Sequence, residues 1–430
     1  MKTVIQNLQA LATSSVRTDA LAIAEAGYAA VTIDRAIEKK VRVENEQLSI
    51  GEATYRLAGR RVFFVGVGKC AVRGGRAIGT ILGDALSSGI VLDVSATDEA
   101  GIPKMEAYVG THPLPTEVNE RASKRILEFL SDRREDDLVI MLISGGGSTL
   151  LCLHDTPMTC ADETVLFETL TARGAPIQDI NIVRKHTSRA RGGALAAAAY
   201  PAEVISLIVS DVPGDDLATI ASGPTVLDSS TVADAQAILE QYDIPSSAGI
   251  AFLETPKEEK YFTRVTNTLF LSGQDALAGM REEAAQRGYA THVVGDHFTG
   301  EARKLGRAII EKLHSSASRT ALLYAGESTV TLGTHAGAGG RNQEMALAAL
   351  MDVRDDELLL PFASDGHDNT EHAGAIADGT TRAHADEKGV SAEEYLNAHR
   401  SYDFFATAGD ALITGYTGSN VSDLIIALKN

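Results

Sequence analysis

The chain has 430 residues, 44% hydrophobic and 23% charged, and its 58 acidic against 39 basic residues give a formal charge of -19. That excess repels nucleic acid and anionic membrane surfaces at long range, so an anionic small ligand has to be met by locally gathered Lys and Arg. No apolar run approaches the ~18 residues of a membrane span, the first residues carry no secretory pattern, and the length exceeds one ordinary core, so a cytoplasmic protein of two domains is expected, a monomer or homodimer.

In chain order, residues 19–42 carry Leu21, Ala24, Tyr28, Val31, Ile33 and Ile37 at helical spacing and predict one long amphipathic helix. A strand is expected over 61–67, running into Gly66-Val67-Gly68-Lys69, with a helix behind it. This order opens a Rossmann-like unit, yet the third glycine of a dinucleotide fingerprint is missing. Lys69 is either an exposed surface lysine or a cation beside an anion at the helix N-terminus. Strands over 89–96 and 105–110 and a helix over 119–132 lead to the apolar run 138–143, which suits a strand buried on both faces. The run stops at Ser144-Gly145-Gly146-Gly147-Ser148. Three glycines permit positive φ and leave amides unshielded, so this loop is either a surface turn or a phosphate cradle past the strand's carboxyl end.

Helices are predicted over 159–173 and 177–199. The second gathers Arg184, Lys185, Arg189 and Arg191, a solvated face or a compensation for bound phosphate, with Lys185 a candidate phosphate ligand. A strand over 204–209 ends in Asp211, placed to hold Mg²⁺ or to take a proton from a hydroxyl. Ser222 and Gly223 offer a further turn with a hydroxyl for the nucleotide. Composition shifts over 243–261, which sets domains of 1–245 and 246–430, the extreme C-terminus being free to return to the first.

In the second half, strands over 266–271, 292–294, 321–324, 327–332 and 358–363 alternate with helices over 275–287 and 300–313. A glycine loop over 335–340 runs into Arg341, whose planar fork suits phosphoryl oxygens, although a solvated arginine at a helix start reads the same way. Asp365 and Asp368 are ordinary turn residues or metal-facing carboxylates. The fold class expected is α/β: a Rossmann-like, mostly parallel sheet with helices on both faces, plus a smaller α/β domain with a mixed sheet. Cys70, Cys152 and Cys160 are too few for a disulfide framework, and Cys152 and Cys160 have no Cys or His partner at zinc-finger spacing, so all three are expected reduced. The histidines His112, His154, His186, His367 and His372 stand singly, as loop residues do.

Eight segments, in the same order along nearly the whole chain, resemble the type-2 glycerate kinases, whose C-terminal half is called the MOFRL domain. They are Gly66-Val67-Gly68-Lys69, Thr111-His112-Pro113-Leu114-Pro115, Ser144-Gly145-Gly146-Gly147-Ser148, Asn181-Ile182-Val183-Arg184-Lys185-His186, Ser210-Asp211-Val212-Pro213-Gly214-Asp215, Ala221-Ser222-Gly223-Pro224-Thr225, Gly340-Arg341-Asn342-Gln343-Glu344 and Thr417-Gly418-Ser419-Asn420-Val421. Two places depart from that pattern: the loop from Asp365 to His372 is one residue shorter and lacks a proline, and Tyr416 stands where a proline is common. The resemblance implies ATP-dependent phosphorylation of D-glycerate to 2-phosphoglycerate with Mg²⁺, in a cleft between two domains. In that reading Lys69 and Arg341 neutralise the transferred phosphoryl group, the loop from Ser144 to Ser148 holds ATP phosphates, and Asp211, Asp365 and Asp368 are the metal candidates. The competing class is a nicotinamide-dependent hydroxypyruvate reductase. Lys69 inside the first glycine turn speaks against it, as does the want of a clear acidic ribose ligand ending the second strand, although Asp93 lies close.

Overall fold

The computed structural model describes residues 3–95, 101–212, 214–245, 249–332 and 337–430. The chain divides into two compact units, one of Ile33–Ser210 and Asp215–Phe270, the other of Met1–Thr32, Asp211–Gly214 and Leu271–Asn430. The boundary expected at 245/246 does not coincide with this division, because the N-terminal segment groups with the C-terminal part and residues up to 270 stay with the first unit. Ala96, Pro213, the centre of the expected linker at 246–248, and residues 333–336 of the second glycine loop lie outside the described residues.

In the first unit, strands β1 (Val62–Val67), β2 (Leu86–Asp93), β3 (Met105–Val109), β4 (Leu138–Ile143), β5 (Glu203–Val209) and β6 (Val265–Leu271) form one sheet in the order β3-β2-β1-β4-β5-β6. The pairs β1 with β2, β2 with β3, β1 with β4 and β4 with β5 are all parallel. Every residue of β1 and β4 is buried, which accounts for their unbroken apolar sequences. The strand order reverses direction between β1 and β4, the point where open α/β sheets leave a crevice at the strands' carboxyl ends. A small antiparallel sheet of Val41–Glu44, Gln47–Ile50 and Ala53–Arg56 precedes it and was not anticipated.

Two expected helices are each broken. In place of one helix over 19–42 there are Ser15–Val31 and Ile33–Lys40, parted at Thr32, whose φ of -63° and ψ of 119° are extended. The Thr32 hydroxyl donates to the Tyr28 carbonyl at 2.7 Å, satisfying a group the helix end leaves open. The two pieces belong to different units. The span 177–199 is Ile177–Lys185 and Ala194–Ala199, interrupted by Gly192 and Gly193 at positive φ.

In the second unit, strands β7 (Ala290–Glu301), β8 (Thr320–Thr329), β9 (Glu357–Ala363) and β10 (Asp423–Lys429) lie in the order β7-β8-β10-β9, and the sheet continues into short strands. β7 and β8 are parallel, whereas β10 runs antiparallel to both β8 and β9, so the sheet is mixed as expected. The two strands expected over 321–324 and 327–332 are one. All seven residues of β10 are buried, and the last apolar segment of the chain thereby becomes a central strand. The helix Ser15–Val31 lies against the helix Gly273–Gln286, and Tyr28 donates to the Ala363 carbonyl at 3.1 Å. Arg17, fully buried, donates to both oxygens of Asp378 at 2.7 Å and to Asp410 at 2.6 Å. Among the described residues no helix is long and apolar enough to cross a membrane.

Candidate active site

In the first unit the turns after β1 and β4 are joined. Lys69 N–H donates to the Gly145 carbonyl at 3.0 Å, Ser144 N–H to the Val67 carbonyl at 2.9 Å, and Cys70 N–H to Ser144 Oγ at 3.4 Å. A Cβ on Gly68 would overlap Ser144, so this approach requires glycine. Gly146 takes the left-handed conformation at φ 84° and ψ -15°. A Cβ there would stand 3.3 Å from Lys69 Cγ and 3.5 Å from the His112 ring, which brings Lys69, His112 and the glycine loop together. Gly147 N–H closes back on the Ser144 carbonyl at 3.2 Å, whereas the amides of Gly145, Gly146 and Ser148 have no acceptor among the described residues. Three unclaimed donors in one loop are what an anion cradle needs.

Ser148 and Ser222 hydroxyls are 2.9 Å apart, and Ser222 Oγ is 2.5 Å from Asn181 Oδ1. Ser222 has a single O–H, so once it is given to Asn181 the Ser148 hydroxyl is the donor between the serines. Ala221, Ser222 and Gly223 all have φ between 51° and 61°, strained for the first two and held by the bonds of Gly192 and Gly193 N–H to the Ser222 and Gly223 carbonyls. Asn181 and His112 thus join the candidates. Neither stood out singly in the sequence, since an Asn amid Ile and Val and a lone loop His have no local signature. Lys185 is paired with buried Asp228 at 3.2 Å. Burial pushes the Asp228 carboxyl up, but Lys185 and Ser230 bring it below the usual range.

The N-terminus of the helix Ala71–Leu82, where an anion was expected beside Lys69, is already capped: Asp93 accepts from Val72 N–H at 2.9 Å and from Val94 N–H at 2.7 Å. Burial raises the Asp93 carboxyl, with those amides opposing. Asp93 is only 2% exposed and its carboxylate is taken up by backbone amides, so it serves the fold and not a ribose.

In the second unit Asp211 accepts from Asn420 Nδ2 at 2.7 Å, and its carbonyl accepts from Ser422 Oγ at 2.8 Å. The Asp365 carbonyl accepts from Thr417 N–H at 3.1 Å, and its carboxylate from His367 N–H at 3.0 Å. Both aspartates are therefore tied to, or through, the segment 417–422. Asp368 differs: its oxygens accept from Asn342 N–H at 3.1 Å and Gln343 N–H at 2.8 Å, capping the helix Arg341–Leu350. Burial raises its carboxyl, and those amides pull the other way. Arg341 donates from Nε to Asp423 at 2.5 Å, from Nη2 to the same carboxylate at 3.3 Å, and from Nη1 to Glu327. Burial would weaken its charge, but Asp423 and Glu327 raise its pKa, so it stays a cation. Burial in turn pushes the Asp423 carboxyl up to about 7 against the pull of Arg341. Three of five guanidinium donors are thus accounted for, and the fork is held in one orientation.

The cysteine expectation is corrected. Cys152 and Cys160 are bonded to each other across 8 residues, because the turn between them returns the chain to the start of the helix Cys160–Ala172, and buried Cys70 is not part of a disulfide.

A Rossmann-ordered parallel unit with an open-amide glycine loop, and a mixed-sheet unit carrying turn carboxylates and a clamped arginine, define an α/β protein of the phosphate-handling kind. Residues 19–253 match the domain of unknown function DUF4147 and residues 320–423 the MOFRL family. The chain is 34% identical to the D-glycerate 2-kinase of Thermotoga maritima over 402 residues, 91% of this chain and 96% of that one. A crystal structure of glycerate kinase from the same organism superposes with a TM-score of 0.84 at 34% identity, covering 97% of this chain and all of that one. An Agrobacterium vitis protein carrying a provisional hydroxypyruvate reductase name is 37% identical over 85% of this chain and 86% of its own. The chain belongs to the DUF4147–MOFRL family, that of the glycerate 2-kinases.

Proposed function

We propose that this protein transfers the terminal phosphoryl group of ATP to the 2-hydroxyl of D-glycerate. The observation that carries the reading is the loop from Ser144 to Ser148, whose amides at Gly145, Gly146 and Ser148 stand unclaimed beside Lys69. Such amides bind phosphate oxygens without any change in the protonation of the protein, and Lys69 adds a positive charge for the group in flight. Ser148 and Ser222 supply hydroxyl donors, and Arg341 a fixed cation. Asp211 and Asp365 would be the ligands for Mg²⁺: each offers the hard carboxylate oxygens that ion takes, and Asp211 is oriented by Asn420. Bound there, the ion supplies charge neutralisation on phosphate oxygens. Asp368, with its oxygens on helix amides, fits a cap better than a metal ligand.

The test is turnover of D-glycerate with ATP and Mg²⁺, with the phosphorylated carbon of the product assigned by phosphorus–proton NMR. NADH oxidation by hydroxypyruvate is run in parallel. ADP and 2-phosphoglycerate are expected, with no NADH consumed; NADH loss without a phosphorylated product would replace the kinase reading by the reductase one.

A further inference from the structure

The segment leaving the glycine loop carries a cluster that phosphoryl transfer does not use. Cys152, His154 and Cys160 are all buried, and their two sulfurs and one ring nitrogen lie within 4.8 Å of one another. His154 Nε2 is 3.3 Å from Cys152 Sγ and 2.8 Å from Glu163 Oε2. Cys160 and Glu163, three apart, share a face of the helix Cys160–Ala172. His154 Nδ1 meets the Thr187 carbonyl oxygen and Nε2 the Glu163 carboxylate, both of which only accept, so the ring donates at both nitrogens here and a cation at Nε2 has to displace that proton. Two sulfurs and one imidazole nitrogen share one small volume.

We propose that, once the disulfide is reduced, Cys152, His154 and Cys160 hold one thiophilic divalent cation of the zinc class, with Glu163 beside His154. A tetrahedral centre with Zn–S of about 2.3 Å and Zn–N of about 2.0–2.1 Å puts its ligand atoms roughly 3.3–3.8 Å apart, which the 3.3 Å between Cys152 Sγ and His154 Nε2 already meets and which the sulfurs reach on parting. Two thiolates select against Mg²⁺ and Ca²⁺, which keeps this site separate from the carboxylates of the second unit. The outer contacts are in place: the Thr187 carbonyl fixes the imidazole, and Arg191 holds Glu163 Oε1 at 2.8 Å with Arg184 at 3.5 Å. Disulfide and cation compete for the same two sulfurs, and reduction is the condition for binding. A trialkylphosphine breaks the S–S bond by giving up two electrons and taking the oxygen of one water, whose two protons go to the sulfurs; the cation then displaces those protons to solvent.

The full chain, reduced with phosphine and kept under argon, is titrated with Co²⁺. One cobalt per chain is expected, with the visible bands of tetrahedral coordination and a sulfur-to-cobalt charge-transfer band, both bleached by an equivalent of Zn²⁺, and zinc should raise the melting temperature of the reduced protein. The oxidised chain should show none of this. Cys152→Ser and Cys160→Ser should abolish the charge-transfer band, His154→Gln should weaken cobalt binding at least tenfold, and Cys70→Ser should leave the band unchanged. The proposal fails if reduced, folded wild-type protein gives no charge-transfer band, if oxidised protein gives the same one, or if the band survives Cys160→Ser or disappears with Cys70→Ser.

Discussion

Gly146 is held at φ 84° with Lys69 and His112 at its flank. A valine there has to leave the left-handed region and press on both neighbours, which displaces the amides around it. Gly146→Val should therefore raise the apparent KM for ATP while the protein remains folded; unchanged ATP affinity would reduce the loop to a turn. Lys69→Ala and Arg341→Ala should each lower kcat by about 10²-fold or more, the scale for losing one charge contact to the transferring group. Since Arg341→Ala also strands buried Asp423, Arg341→Lys is the companion: it keeps the charge, loses the fork, and should recover stability before it recovers kcat. For Asp211, the Mg²⁺ requirement separates two roles. Asp211→Asn should raise the Mg²⁺ concentration for half activity if the carboxylate holds the ion, whereas a lost base lowers kcat and leaves that requirement alone. At this scale the sequence was informative where chemistry is local: the glycines, Lys69 and Arg341 announce themselves by type and turn. The Asp211 partner, Asn420, is 209 positions away and has no local trace. The Cys152, His154 and Cys160 cluster escaped because its spacing matches no common metal template, although all three residues fall within nine positions.

Among the elements, the helix Ser15–Val31 depends most on one side chain. Arg17 is sealed between Asp378 and Asp410, and removing it leaves buried Asp378 without a counter-ion and buried Asp410 with His384 beside it at 2.9 Å. Arg17→Met should cost about 3–5 kcal/mol, measured as a fall in the urea midpoint. The pH dependence has a defined sign. Burial pushes the Asp378 carboxyl up, but its bonds to Arg17 bring it below the ordinary value. A depressed folded pKa contributes stability that is complete above the unfolded value, about 3.9, and is lost as pH falls through the lower folded one. The gap between wild type and Arg17→Met should accordingly narrow below about pH 4, and a gap constant down to pH 2 would show that the pair contributes nothing. The strands β1, β4 and β5 were readable because burial on both faces writes an apolar run, broken in β5 only by Ser206 after its opening Glu203. The break at Thr32 was not, since the apolar spacing continues across it and the cause is one hydroxyl with the demands of two separate cores. Gly192-Gly193 did mark the other break; a period of Ala and Leu beyond it read as one helix.

For the whole molecule, the chain passes between the units at 32/33, 210/211, 214/215 and 270/271. A composition shift at 243–261 therefore falls within one unit and not at its edge. The consequence for fragments is direct: 33–270 should fold alone, with cooperative thermal unfolding by circular dichroism, whereas 246–430 should stay unfolded until residues 1–32 are supplied, because the helix Ser15–Val31 belongs to its core. Independent folding of 246–430 would contradict this. Both sheet types were legible from the alternation of strands and helices; the passage of the chain between units was not, being a property of contacts far apart in sequence.

The place of β10 at the centre of the second sheet sets an order on synthesis. The helix Ser15–Val31 emerges from the ribosome roughly 390 residues ahead of that strand, a wait on the order of 20–80 s at about 5–20 residues per second. From residue 270 onward the parallel-sheet unit has all of its residues and can complete, while the helix Ser15–Val31, with Leu21, Ile23, Tyr28 and Val31, meets its partner Gly273–Gln286 only after that and the central strand last. The nascent chain thus carries an apolar helix ahead of a finished domain, a target for holding chaperones, and the second unit closes only when translation delivers its last strand.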